Sequence, residues 1–283
     1  MHPARRLWIR LEPYHALVYF APEVREAFEG IGLQGFWRGY FAGRAAPLGP
    51  VGAGPITAAF HGFRPDFVAR ALPAVWSMTD PSAAIDARLR GVDAVLQRLG
   101  ISSEAALCAE AADVLDRGVA TCAPAGRTLF AANADLPRPR APHLALWHAA
   151  TLLREHRGDG HVAALVAGQV GPCEAHVLRT AQERTSPERI RPHRGWTEED
   201  WQAAADRLRE RGLLDGDEVS TKGTALRTRI EDRTDILASE AVDGIGPHGF
   251  DRLLRVLDIL TQPILTSGMV PYPNAMGVPR PDG

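Results

Sequence analysis

The chain has 283 residues, 45% hydrophobic and 23% charged, which is enough for two modest domains or one duplicated domain with an ample core. A formal net charge of -2 and a pI near 6.6 give no bulk attraction to nucleic acid or an anionic membrane. Cys108, Cys122 and Cys173 are odd in number, far apart and without a Cys-x-x-Cys pair, which argues against a disulfide framework or zinc knuckle and fits a reducing compartment.

In chain order, most segments carry helical periodicity. Arg10, Glu12 and Pro13 interrupt the N-terminal stretch, so no signal-peptide core forms; no apolar run is long enough to span a bilayer, and a cytoplasmic protein is expected. An apolar stretch, Ala16 to Phe20, precedes a helix from Pro22 to Glu29, and a second helix covers Phe36 to Arg44. Pro55 and Pro65 suit first helical turns. Asp80-Pro81-Ser82 reads as an N-cap with Pro at the first helical position, opening a helix to about Leu99; another covers about Ser103 to Val119.

The proline-rich stretch Leu136 to Pro142 is the best boundary. An amphipathic helix follows, Leu144 to His156, closed by Gly158, and Asp159 is expected to cap a short helix from Gly160 to Ala167. Helix resumes at Pro172 to Glu183. After the loop from Thr185 to Gly195, Thr197-Glu198-Glu199-Asp200 opens a helix with a Thr cap and an acidic first turn.

That helix ends at Gly212. Asp215-Gly216 between apolar residues is a hairpin signal, and a long helix starts near Thr224 and runs to about Ala238. Helix, short hairpin, helix is the grammar of a winged helix. The stretch resembles the multiple-antibiotic-resistance-regulator type, where Arg-Gly-Leu leads into a wing closing on Thr-x-Lys-Gly, here Arg211-Gly212-Leu213 and Thr221-Lys222-Gly223 preceded by Ser220. Its charges are wrong for DNA: Glu198, Glu199 and Asp200 stand where a recognition helix meets phosphates, and the wing tip carries Asp215, Asp217 and Glu218.

The chain also reads as duplicated. Trp76, Asp80, Ala83, Ala84 and Asp86 match Trp196, Asp200, Ala203, Ala204 and Asp206 at one constant offset; Trp37 and Arg44 match Trp147 and Arg154 at another. Chance likeness between alanine-rich helices is the competing explanation. The fold expected is mainly α, with two diverged winged-helix-like repeats, residues 1–135 and 136–283, the second keeping a small β-hairpin wing.

Several strings together resemble the SalK-like family of actinobacterial helix-turn-helix-related proteins over nearly the whole chain. They are Gly35 to Gly49 (GFWRGYFAGRAAPLG), Leu146 to His161 (LWHAATLLREHRGDGH), Arg194-Gly195-Trp196 and the terminal Pro273 to Gly277. The resemblance implies a setting beside specialised-metabolite genes rather than a mechanism.

The stretch from Arg154 to His161 is the densest polar cluster beside an apolar helix. As a site, His156 or His161 would move a proton, Asp159 would orient the imidazole, and Arg154 or Arg44 would hold an anionic or carbonyl group. As plain structure, Asp159 is an N-cap, Gly158 a C-cap and the histidines a solvated turn. Tyr14, His15, Trp37, Tyr40 and Trp147 are candidate ligand contacts, in a cleft between the halves; for Trp37 the core reading is favoured, whereas Tyr14 and His15 read equally as core or contact. His148 and His156 do not share a helix face, no His-Glu-x-x-His pattern appears, and no protein-bound metal is expected. No Gly-x-Gly-x-x-Gly, Walker or Gly-x-Ser-x-Gly motif specifies a cofactor or a nucleophile.

The function expected is small-molecule binding, extending to cofactor-independent acid–base chemistry of the isomerase, cyclase or lyase kind. The alternative is a ligand-responsive winged-helix regulator, and a third reading is a scaffold with incidental histidines. A homodimer through the Thr224–Ala238 helix and the apolar Leu253–Leu265 segment is expected.

Overall fold

The structure, a computed structural model, describes residues 1–274 and 276–281. Ala275, within the Pro273–Gly277 string, and Asp282 and Gly283 lie outside the described residues. The chain is mainly helical, with one two-stranded sheet among the described residues. The first half comprises α1 (Pro3–Phe20), α2 (Pro22–Glu29), α3 (Phe36–Ala45), α4 (Ala53–Phe60), α5 (Pro65–Ala69), α6 (Pro81–Arg98), α7 (Ala105–Val119) and α8 (Thr128–Ala134). The second comprises α9 (Pro142–Ala167), α10 (Pro172–Glu183), α11 (Arg191–Arg194), α12 (Glu198–Glu210), the hairpin β1 (Leu214–Asp215) and β2 (Glu218–Val219), α13 (Thr221–Leu237), α14 (Ser239–Ile245) and α15 (Pro247–Ser267).

Local chemistry sets many of these boundaries. The Asp80 carboxylate accepts from the Ala83 amide at 2.9 Å, capping α6. Thr197 and Asp200 exchange side-chain and backbone hydrogen bonds as a capping box at the start of α12. β1 pairs antiparallel with β2, Leu214 opposite Val219 and Asp215 opposite Glu218, and Gly216 turns between them at φ +57°. The Ser220 hydroxyl accepts from the Gly223 amide and donates to the Gly212 carbonyl, so α13 begins at Thr221, three residues before the position expected.

α9 is the axis of the fold, packing on α1, α7, α8 and α13. The main hydrophobic cluster runs from Leu7 to Val278 and draws on both sides of the Leu136–Pro142 stretch; a smaller one, from Ala164 to Ile230, joins the end of α9 to α10, α12, the hairpin and α13.

Three sequence expectations are corrected. First, a helix precedes the one expected from Pro22: α1 spans Pro3–Phe20 and continues through Pro13. An interior proline costs a helix about 3 kcal/mol, but Leu7, Leu11, Tyr14 and Leu17 are all buried around it, and that packing holds the helix together. Second, α9 has no turn at Gly158: one helix carries the whole stretch to Ala167. Gly160 sits in it because a Cβ there would lie 2.5 Å from the Arg127 guanidinium, so its glycine serves packing rather than a turn. Third, most of the apolar Leu253–Leu265 segment is taken up by the chain itself: Leu253, Leu254, Leu257, Leu260 and Ile264 are buried in its core, which leaves Ile259 exposed.

The duplicated motif does not align helix start with helix start. Asp80 is the N-cap of α6, whereas Asp200 is the third residue of α12, and the first half contains no strand pair among the described residues.

Candidate functional site

Two neighbouring cavities lie where the halves meet, one against α9, α10 and α13 and the other against α10, α11 and the segment after α15. The first, of about 370 Å³, is walled by six arginines (Arg44, Arg154, Arg157, Arg179, Arg194, Arg227) against four glutamates (Glu12, Glu155, Glu183, Glu231), with Tyr40, Phe60 and Phe63 as its aromatic face. His61, His161 and His176 also line it.

α3 and α9 supply its buried ionic heart. Arg44 Nη2 donates to both Glu155 oxygens, at 3.1 and 3.0 Å, and Arg154 Nη1 reaches Glu155 Oε2 at 2.8 Å. Arg154 Nε approaches Glu12 at 3.4 Å, and Glu12 is fixed in turn by the Trp8 indole at 2.8 Å. Arg44 also donates to the Tyr40 hydroxyl and lies 4.0 Å over the Phe60 ring. Burial opposes the Glu155 charge, but Arg154 and Arg44 outweigh it and hold the carboxylate down at about 2. The same carboxylate raises both arginines further against burial.

Further round the wall, Arg157 pairs with Asp235 at 2.7 Å and Arg179 with Glu183 at 2.9 Å. Arg227 donates to the Leu178 carbonyl at 3.4 Å and makes no ion pair among the described residues. Burial lowers the pKa of Arg227, the signature of a guanidinium held at some desolvation cost.

The imidazoles of the chamber are held uncharged. Burial depresses His161 and His61, and burial with the Arg194 charge presses His176 down to about 3. His161 Nδ1 lies 3.0 Å from the Thr234 hydroxyl, whose proton is already donated to the Ile230 carbonyl. The hydroxyl therefore accepts, Nδ1 carries the hydrogen, and Nε2 keeps its lone pair.

The second cavity, about 590 Å³, shares Arg179, Glu183, Arg194 and Met276 with the first. It is lined by Tyr19, Phe20, Phe36, Trp37, Ile190 and the prolines Pro271 and Pro273. One compartment is thus charged, and the adjoining one is mainly aromatic and apolar.

A helix-turn-helix family model matches residues 4–271. The chain belongs to this helix-turn-helix family. No curated protein and no solved structure matches it. The charges on and beside α12 are paired. Arg207 of α12 and Arg211 just past its end reach the Glu174 carboxylate of α10 at 2.9 and 3.1 Å, and Arg209 is held by Asp206 and Asp217. The N-terminal end of α12 docks on the first half: Arg64 pairs with Asp200 at 3.1 Å, and Gly195 packs so closely on Phe67 that a Cβ would sit 2.4 Å away.

The residues picked out from sequence divide. Arg44, Tyr40, Arg154 and His161 converge on the charged chamber, and Trp37 lines the apolar one. His15 lies behind the chamber wall: the Tyr19 hydroxyl donates to its Nε2, and its Nδ1–H donates to Thr151, whose own proton goes to the Trp147 carbonyl. Tyr14 and Trp147 are core, about 1% exposed, donating to the carbonyls of His143 and His15.

His156 and Asp159 do not face His161. Asp159 accepts the Leu129 and Phe130 amides, both at 2.9 Å, so it caps α8 rather than its own helix and orients no imidazole. His156 packs edge-on against Phe130 with ring centroids 5.0 Å apart. Glu155 and Arg157 stood inside the string singled out from sequence but were passed over beside the histidines. Glu12, Arg194 and Arg227 come from α1, α11 and α13, and His176 and Arg179 share α10, so no sequence spacing links the four groups.

Proposed function

We propose that this protein binds a small molecule with an anionic group and an apolar body, the anion among the chamber arginines and the body along the aromatic compartment. The observation that supports this most directly is the excess of arginine over glutamate in the chamber wall, with Arg227 a half-buried cation that feels Glu231 and Glu183 but makes no ion pair among the described residues and hydrogen-bonds only the Leu178 carbonyl at 3.4 Å. The test is native mass spectrometry of protein purified from its own host, followed by titration of the retained molecule into Arg227→Ala and Trp37→Ala. Loss of a charge-assisted hydrogen bond, about 1.5–3 kcal/mol, weakens binding roughly 10- to 100-fold in the arginine variant. Unchanged affinity in both variants defeats the proposal.

In the same reading, His161 is the one imidazole of the original catalytic set placed to serve as a base, through Nε2. Cofactor-independent proton transfer on the bound molecule is then the chemistry to look for, with His161→Gln abolishing turnover while leaving binding intact.

Family membership favours a second reading, a ligand-responsive transcription regulator. In either, we read α10 to α13 with the hairpin as a winged helix and the first half as its diverged, wingless copy, the two meeting near residues 135 and 136. The resemblance to SalK-like proteins supports a cytoplasmic role beside specialised-metabolite genes. A two-fold dimer would have to use the exposed Ile236 of α13 and Ile259 of α15, and sedimentation at high micromolar concentration decides it.

A further inference from the structure

On the far side of α9 from the chamber, three residues from three separate elements meet. Cys122 follows α7, His156 lies on α9 and Glu240 on α14; one donor atom from each lies within 4.8 Å of the others. His156 is 1% exposed, and its Nε2 has no hydrogen-bond partner; Glu240 Oε2 lies 3.5 Å away, at ion-pair distance. A buried ring nitrogen without a partner costs free energy, and neither the edge contact with Phe130 nor the chamber accounts for it.

The surroundings are built to keep these donors together. The Ala123 amide donates to Glu240 Oε2 at 2.7 Å, and the Thr121 hydroxyl donates to the Glu240 carbonyl at 2.7 Å, tying the loop after α7 to α14. Arg127 donates to the His156 carbonyl and, at 2.7 Å, to the Leu237 carbonyl, bracing α9 against the end of α13. Cys122 is buried, whereas the Glu240 side chain is 43% exposed, which leaves an approach from solvent on that side.

We propose that Cys122, His156 and Glu240 form a site for a borderline-soft divalent cation of the zinc class. A thiolate, an imidazole and a carboxylate are the donors such an ion takes, and three protein ligands leave a fourth position for water. Thiolate and carboxylate together neutralise a divalent charge, so the nearby Arg127 is tolerated. On binding, the Cys122 Sγ–H, which now points to the Gly118 carbonyl at 3.3 Å, gives its proton to solvent, and the sulfur and the His156 Nε2 lone pair turn to the metal. The ion would staple α9 to α14 and to the loop after α7. The sequence concealed the site because its ligands are widely separated and form no motif.

The experiment uses the full chain stripped with chelator, with Co²⁺ as the spectroscopic probe and Zn²⁺ for calorimetry. The expected result is one ion per chain, a sulfur-to-cobalt charge-transfer band, and a rise in melting temperature on adding Zn²⁺. Cys122→Ala removes the band. His156→Gln and Glu240→Gln weaken Zn²⁺ binding by more than the roughly 10- to 100-fold that changes outside the ligand set cost. Glu240→Gln retains an acceptor for the Ala123 amide, so its fold is kept and the affinity can be read. A wild-type protein without the sulfur band overturns the proposal, as does Zn²⁺ affinity unchanged in the Cys122 and Glu240 variants, the result expected if the chamber histidines alone bind the ion.

Discussion

Arg44 of α3 and Glu155 of α9, 111 residues apart in sequence, meet in a two-oxygen ion pair at 3.0–3.1 Å with Glu155 only 3% exposed. Arg154, the residue that sequence matching sets opposite Arg44, lands on the same carboxylate. One buried acid thus joins both halves of the chain and anchors the chamber wall. Glu155→Ala leaves two buried guanidiniums facing one another, with Glu12 as the nearest remaining acid, and should cost about 3–5 kcal/mol. Combining it with Arg44→Met should restore part of the loss, because an apolar replacement of the pair leaves no stranded charge at that position. A double-mutant cycle in urea measures the coupling; strict additivity of the two changes is the result against it.

The glycines of α9 should behave in opposite ways. At Gly158 an added Cβ meets nothing closer than 3.8 Å, so Gly158→Ala should stabilise the protein by roughly 0.5–1 kcal/mol through helix propensity. At Gly160 the same methyl meets Arg127 at 2.5 Å and Leu237 at 3.3 Å. Gly160→Ala should displace a guanidinium that holds two carbonyls and cost about 1–3 kcal/mol. Paired thermal melts check the signs; destabilisation of similar size at both positions would restore the expectation of a turn.

Much of the fold was legible because its signals are local. Proline at a first helical position, Asp80 and Thr197 as caps, and Asp-Gly at the hairpin each act within four residues. α1 and α9 were not legible at Pro13 and Gly158, because what carries the helix through them is long-range packing. The site was half legible for the same reason. Arg44 and Arg154 sit in dense strings, but the direction of each side chain depends on whether α9 breaks or continues. An unbroken helix turns Asp159 toward α8 and separates His156 from His161, so the proposed proton-handling trio does not assemble.

Acid should weaken the fold below neutral pH. Burial, with nearby arginines, presses His148 to about 4, His176 to about 3 and His15 well below its ordinary value. The unfolded chain accepts protons near pH 6.5 that these folded histidines refuse, so their contribution is complete above about 6.5 and is lost as pH falls toward the folded values, by about 1.4 kcal/mol per pH unit for each. Asp159 has the opposite sign. Burial raises it to about 6, so its contribution is present at low pH and disappears as pH rises through that value. One carboxyl offsets one histidine, and the net slope stays positive. Urea midpoints at pH 7 and pH 5 test this, and equal midpoints would count against it.

In the winged-helix reading, DNA binding would be decided on α12 and the turn after it. The basic side chains there have partners in place: Arg207 and Arg211 share Glu174, and Arg209 bridges Asp206 and Asp217. Each phosphate contact would have to break such a pair, exchanging an existing attraction for a new one, while Glu198 and Glu199 in the first turn repel the polyanion. The docking of Arg64 on Asp200 also closes the end of the helix that recognition helices point at base edges. Wild-type protein at physiological salt should therefore give only weak shifts with its own upstream duplex, with affinity changing little between low and moderate salt, because few counterions are released. Glu174→Ala frees two arginines at once and should increase non-specific binding and steepen the salt dependence by up to about 0.9 per phosphate engaged. A saturable nanomolar shift by the wild type that survives competitor DNA reverses the order of the two functional readings, and makes the chamber the sensor of a regulator.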